Sequence, residues 1–198
     1  MFQRIINFFK RIFSRKKVIA PQPSTPETPE PLPSPPGQNN GSEVPANGLV
    51  QVGDIIAINE EERQMCIGAI VHVRDIIASP FFKEEVLSSK FTSTDGMTNE
   101  EIYKKYTDSK LTVNVHMFYG SYYQNHISHT VGYDTPEDDY VNANRYYVQD
   151  SATLASLIMH ELAHALGFHH INKNEDTSVP YMMNKISESV MKKMGISN

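Results

Sequence analysis

One cysteine in 198 residues excludes an internal disulfide, so the fold must rest on a hydrophobic core or on a metal. No run of about 18 apolar residues occurs, which excludes a single membrane-spanning helix. Basic residues are scarce beyond the N-terminus: residues 1–17 carry six Lys/Arg and no acid, leaving 12 basic against 23 acidic residues in the rest. A body of that sign lacks the basic face that phosphate contacts require, so nucleic acid is not an expected partner. The length leaves no room for a multidomain machine and favours one folded domain plus smaller segments.

Composition divides the chain into three. In MFQRIINFFKRIFSRKK (1–17), Phe2, Ile5, Ile6, Phe9, Ile12 and Phe13 follow i, i+3, i+4, i+7 spacing, and Arg4, Lys10, Arg11 and Arg15 fall mostly off that stripe. The pattern predicts a basic amphipathic helix lying on a membrane surface. Arg4 and Lys10 interrupt the apolar stretch that a cleavable signal peptide needs, and no small-residue cleavage site follows. Peripheral membrane association is therefore the expected localisation. Docking on a protein and an atypical export signal are the alternatives. Residues 18–48 form the second part; 21–48 hold nine of the twelve prolines and almost no bulky apolar side chains, so this segment is expected to be a disordered Pro-rich linker. In polyproline II its 28 residues would reach roughly 85 Å, the length of a semi-rigid stalk. Its PxxP-like spacings also suit a proline-reading domain.

Residues 49–198 are enough for a real core and must hold the chemistry. LVQVGDIIAI reads as a first strand. Asn59 followed by Glu60, Glu61 and Glu62 reads as a cap with an acidic first turn, opening a long helix over about 60–78. Ser79-Pro80 opens a short second helix through about Leu87. LTVNVHMFYG, HTVGY and DYVNANRYYV are β-branched and aromatic with turn residues between, which predicts two or three strands. Asp150 or Ser151 caps a helix ATLASLIMHELAHAL that stops at Gly167, and Lys185–Met194 reads as a last helix.

The helix before Gly167 carries the informative motif. His160 and His164, four apart, project from one helical face as two imidazoles on one zinc ion must. Glu161 is offset by about 100° from His160, wrong for a third ligand but suited to act on a water at the metal as general base. Gly167 permits a left-handed turn, so the chain can double back and bring His170 to the site. His169 is an alternative third ligand on spacing alone. The whole pattern is HELAHALGFHH, or HExxHxxGxxH.

His160 to His170 resemble the zinc-binding consensus of metzincin metallopeptidases, and of the small matrixin-like catalytic domains among them. The resemblance implies an α+β zincin-like domain: a long first helix, a small twisted mixed sheet, a zinc-binding helix, a Met-containing turn beneath the metal and a C-terminal helix. It implies Zn2+ as cofactor, His160, His164 and His170 as ligands, Glu161 as the catalytic base, and Met182 or Met183 in SVPYMMN as the Met-turn residue. The positions two after these methionines are Asn184 and Lys185, so the Tyr that some metzincins place there is absent, and Tyr181 and Met182 are expected to shape the pocket for the residue after the scissile bond. Cys66 falls inside a predicted helix and offers no latency switch. The expected activity is endopeptidase hydrolysis of a protein or peptide by a monomeric catalytic domain, with the substrate pairing along a sheet edge in HTVGYDT or YVNANRYYV. The competing reading is a membrane-tethered, inactive protein that keeps zinc for stability. His126 and His129 (HISH) are candidates for a second metal with acids such as Asp134, although a surface position is the simpler expectation. Glu137, Asp138 and Asp139 lack the alternation and glycine of a calcium loop and read as solvated.

Overall fold

The alternating run after Leu49 becomes strand β1 (Val50–Ile56) in the computed structural model, which describes residues 50–128, 130–135, 139–170 and 177–196, with backbone alone at 133–135. The expected N-terminal helix, the Pro-rich linker, His129, Glu137 and Asp138 lie outside the described residues.

Helix α1 (Glu60–Ala78) spans the residues its pattern predicts. The Asn59 side chain accepts from the Glu62 N–H at 2.8 Å, and the three glutamates oppose the positive end of the helix dipole. Its buried positions Cys66, Ala69, Ile70, Val73, Ile76 and Ile77 form one stripe. Ser79 then caps α2 (Pro80–Ser88), with Pro80 in the first turn where its missing N–H costs nothing.

The next helix, α3 (Asn99–Asp108), was not expected from hydrophobic periodicity, because only Ile102 and Tyr106 of its ten residues are buried. A capping box starts it: Thr98 accepts from the Glu101 N–H while Glu101 accepts from the Thr98 N–H. A second capping box, Ser121 with Gln124, starts the five-residue helix α4 (Tyr122–His126).

Strands β2 (Leu111–Phe118), β3 (Gly132–Thr135) and β4 (Tyr140–Asn144) join β1 in a mixed sheet of order β1-β2-β4-β3. β1, β2 and β4 run parallel, and β3 is an antiparallel edge paired to β4, with Tyr133 opposite Asn142. β4 ends at Asn144, earlier than YVNANRYYV suggests. Arg145 turns away, donating to the Met117 carbonyl at 2.6 Å and pairing with Glu62 at 3.1 Å. The buried Asn144 amide donates to Asn125 and to the Thr130 carbonyl, both at 2.8 Å, which fixes the loop feeding the β3 edge.

Helix α5 (Ser151–Ala165) is capped by Asp150, whose side chain accepts from the Thr153 N–H at 2.7 Å. It is buried without a break from Leu154 to Ala163, as expected of a helix enclosed on nearly all sides. It packs against α1, β3, β4 and the last helix, α6 (Val179–Lys193). Leu154, Ile158 and Met159 are fully buried there, each contributing about 1.5–3 kcal/mol of apolar burial. The architecture is mixed α+β, with six helices among the described residues. No single described helix is long and apolar enough to cross a membrane.

The C-terminal helix corrects the sequence reading, because it begins at Val179 rather than Lys185. Pro180 supplies a fixed helical φ in the first turn, and the Met182 N–H already bonds the Ser178 carbonyl at 2.9 Å. SVPYMMN, expected to be a turn, is therefore mostly helix. Met183 is fully buried in the core and Met182 packs against it.

Candidate metal centre

A helix surrounded by apolar neighbours has little reason to carry charge, yet α5 places His160 and Glu161 at 6% and 7% exposure. The i, i+4 spacing sets the His160 and His164 rings on one face with centroids 5.2 Å apart. Gly167 ends the helix at φ +92°, a conformation an L side chain resists. The Phe168 N–H reaches back to the Ala163 carbonyl and the Gly167 N–H to the His164 carbonyl, both at 2.9 Å, the paired bonds of a Schellman stop. Lys105 of α3 donates to the Leu166 carbonyl at 2.8 Å, and its ammonium lies 5.0 Å from the centroid of the buried Phe168 ring. The helix that hydrophobic periodicity missed thus secures the turn behind the site.

The reversal returns His170 to within 5.2 Å of His160 and 4.8 Å of His164, ring centroid to centroid. One ligand nitrogen from each of the three lies within 4.8 Å of the others. A tetrahedral zinc at about 2.0–2.1 Å from each requires nitrogens about 3.3 Å apart, a small side-chain adjustment. His169 is exposed, stacks 6.2 Å from His164 and is outside this group. Among the described residues this is the one such group. His126 is exposed on α4 and packs its ring against Tyr122 and Tyr146.

Donor chemistry fits a metal as well as distance does. The Phe168 carbonyl lies 2.8 Å from His164 Nδ1, and a carbonyl only accepts, so Nδ1 carries the proton and the Nε2 lone pair is left to coordinate. Burial holds the His160 imidazole well below its ordinary pKa, the neighbouring His164 and His170 push the same way, and a hydrogen bond to the Pro180 carbonyl opposes them. The ring is thus neutral at pH 7, the form a metal binds. A sign follows for stability. The unfolded chain takes up this proton near pH 6.5 and the folded one resists it, so in metal-free protein the stabilisation is complete above about pH 6.5 and lost as pH falls below it. Denaturant melts of metal-free protein at pH 7.5 and pH 5 should show the lower midpoint at pH 5; equal midpoints would contradict a buried neutral His160.

Tyr181 joins the group from α6. Its ring centroid is 4.3 Å from His170 and 5.1 Å from His160, and it is 9% exposed. Burial, then the charge of Glu161, pushes its phenol up to about 12, so it stays a protonated donor at neutral pH. The sequence reading placed Tyr181 by the substrate pocket rather than against the histidines, because only a helix beginning at Val179 turns its ring toward them. Ser178 was missed for the same reason: its hydroxyl lies 2.7 Å from His170 Nδ1. Cys66 is fully buried on α1, where burial and then Glu62 push its thiol up to about 12, which leaves it inert toward a metal.

No family model, curated protein or solved structure matches this chain. Three convergent imidazoles, at least one held neutral by burial, could hold a metal ion through borderline-soft nitrogen donors. Glu161, adjacent on the same helix, adds a buried carboxylate whose charge is felt at Tyr181.

Proposed function

We propose that this chain is a small zinc endopeptidase of metzincin type, with a zincin-like catalytic domain in residues 49–198 and a peripheral membrane anchor in residues 1–17. The observation that carries the reading is the convergence of His160, His164 and His170 within 4.8 Å, next to Glu161 on the helix that bears the first two. The order of elements supports it: a long first helix, a small mixed sheet with one antiparallel edge, the histidine-bearing helix and a C-terminal helix.

His160, His164 and His170 would hold the ion, and zinc bound there supplies Lewis acidity that polarises a carbonyl and acidifies water toward a pKa of roughly 7. The Glu161 carboxylate takes the proton from the attacking water and passes it to the departing amide nitrogen, the work of a positioned general base turned acid. The Tyr181 phenol remains a donor beside that carboxylate. An extended substrate adds along β3, an edge strand of the sheet, whereas β4 is occupied on both sides by β2 and β3. Of the two stretches considered from sequence, HTVGYDT is thus the better edge. Tyr181 and Met182, on the first turn of α6, would border the pocket following the scissile bond and favour an apolar side chain there.

A quenched peptide library tests the reading on the full-length chain. Internal cleavage is expected, with one oxygen from 18O-labelled water in each new carboxylate, and 1,10-phenanthroline should abolish it. Cleavage insensitive to the chelator would contradict the proposal. The anchor is tested separately. A peptide of residues 1–17 should bind anionic vesicles more tightly than a scrambled peptide of equal charge, and equal binding would reduce the attraction to charge alone.

A further inference from the structure

Six helices begin among the described residues, and five spend the side chain of the capping residue on the helix itself: Asn59, Ser79, Thr98, Ser121 and Asp150 each accept from a first-turn N–H. Ser178, which opens α6, makes no such bond. Its hydroxyl lies 2.7 Å from Nδ1 of His170 instead, and the residue is fully buried. The two rings on α5 are aimed by the helix that carries them. His170 lies beyond the Schellman stop, outside the helix that carries the other two.

We propose that Ser178 is the positioning residue for the third histidine, holding the His170 ring through Nδ1 and so turning the other nitrogen toward His160 and His164. The proposal rests on the metal-site reading above. In the tautomer a metal needs, Nδ1–H donates to the Ser178 hydroxyl and the Nε2 lone pair faces the group.

The hydroxyl can serve this way because the backbone beneath it is clamped from a second direction. Thr92, in the connection between α2 and α3, forms a parallel bridge with Ser178. Its N–H donates to the Thr177 carbonyl at 2.9 Å, and the two threonine hydroxyls lie 3.0 Å apart. The α2–α3 connection therefore braces the start of α6, and the start of α6 holds His170. An ordinary cap would leave Ser178 bonded to its own helix, whereas here that bond is forgone in favour of an imidazole.

The test uses the full-length chain as Ser178→Ala, Ser178→Thr and, for contrast, Ser79→Ala. Zinc affinity is read by competition with a chelating dye, coordination by the visible spectrum of the cobalt form, and folding by melts of metal-free protein. Ser178→Ala should weaken zinc binding about 10–100-fold and alter the cobalt spectrum, with little change in the metal-free melt. Ser178→Thr keeps the hydroxyl and should restore affinity and spectrum. Ser79 makes a real cap, its hydroxyl 3.2 Å from the Phe81 N–H, so Ser79→Ala should lower the melt and leave zinc affinity unchanged. If Ser178→Ala lowers the melt as Ser79→Ala does, at unchanged affinity and spectrum, Ser178 is a structural cap and the proposal falls while the metal site stands. If the parent chain binds no zinc, the site and the role of Ser178 fall together.

Discussion

Glu161→Gln should leave one zinc bound per chain and lower peptide hydrolysis about 10^2 to 10^4-fold, the range a positioned general base supplies. Glutamine keeps the size of a side chain that is 7% exposed, so the packing of α5 is preserved. It removes the carboxylate proposed to take the proton from water. Zinc should stay because Glu161 is not in the group of convergent nitrogens, which contains His160, His164 and His170. Turnover within a factor of a few of the parent, at full zinc occupancy, would show that the base is elsewhere.

His164→Ala should have the opposite signature, with metal and activity lost together. Site energies of about 10–16 kcal/mol for structural zinc imply roughly 3 kcal/mol or more per ligand, a hundredfold or more in Kd. His164 is half-buried on α5, and alanine is the better helix former, so the fold should survive. Metal content by mass spectrometry alongside a thermal melt separates the outcomes. Full zinc occupancy in His164→Ala would remove this residue from the ligand set. The same substitution at His169, which is exposed and outside the group, should leave zinc content unchanged.

Where the sequence was legible, several signals agreed. Asn59 with three glutamates and a regular apolar stripe delimited α1 to the residue. The spacing of His160, His164, Gly167 and His170 implied a helix, a reversal and a convergence, and the fold brings these three histidines together. What escaped was structure set by side-chain caps. α3 has few apolar residues and starts on the Thr98–Glu101 box, a four-residue signal that a search for apolar runs overlooks. Its Lys105 nevertheless bonds the end of the histidine-bearing helix. The residues supporting His170 escaped for a related reason. SVPYMMN has a cap, a first-turn proline and two methionines, features shared by a turn and a helix start, and the choice of a turn left Ser178 without a role and Tyr181 without its contact to the histidines. Strand order was not legible either, because HTVGYDT and YVNANRYYV have the same texture and only their pairing shows that β3 is the edge.

The most direct test titrates zinc from zero to two equivalents into metal-free, full-length protein, following bound metal and cleavage of a quenched peptide together. Turnover should be absent at the start, rise in proportion to bound zinc and level off at one equivalent, with Glu161→Gln binding the same equivalent silently. Hydrolysis by the metal-free chain, or one tightly bound zinc with no turnover of any library peptide, would contradict a catalytic zinc at His160, His164 and His170.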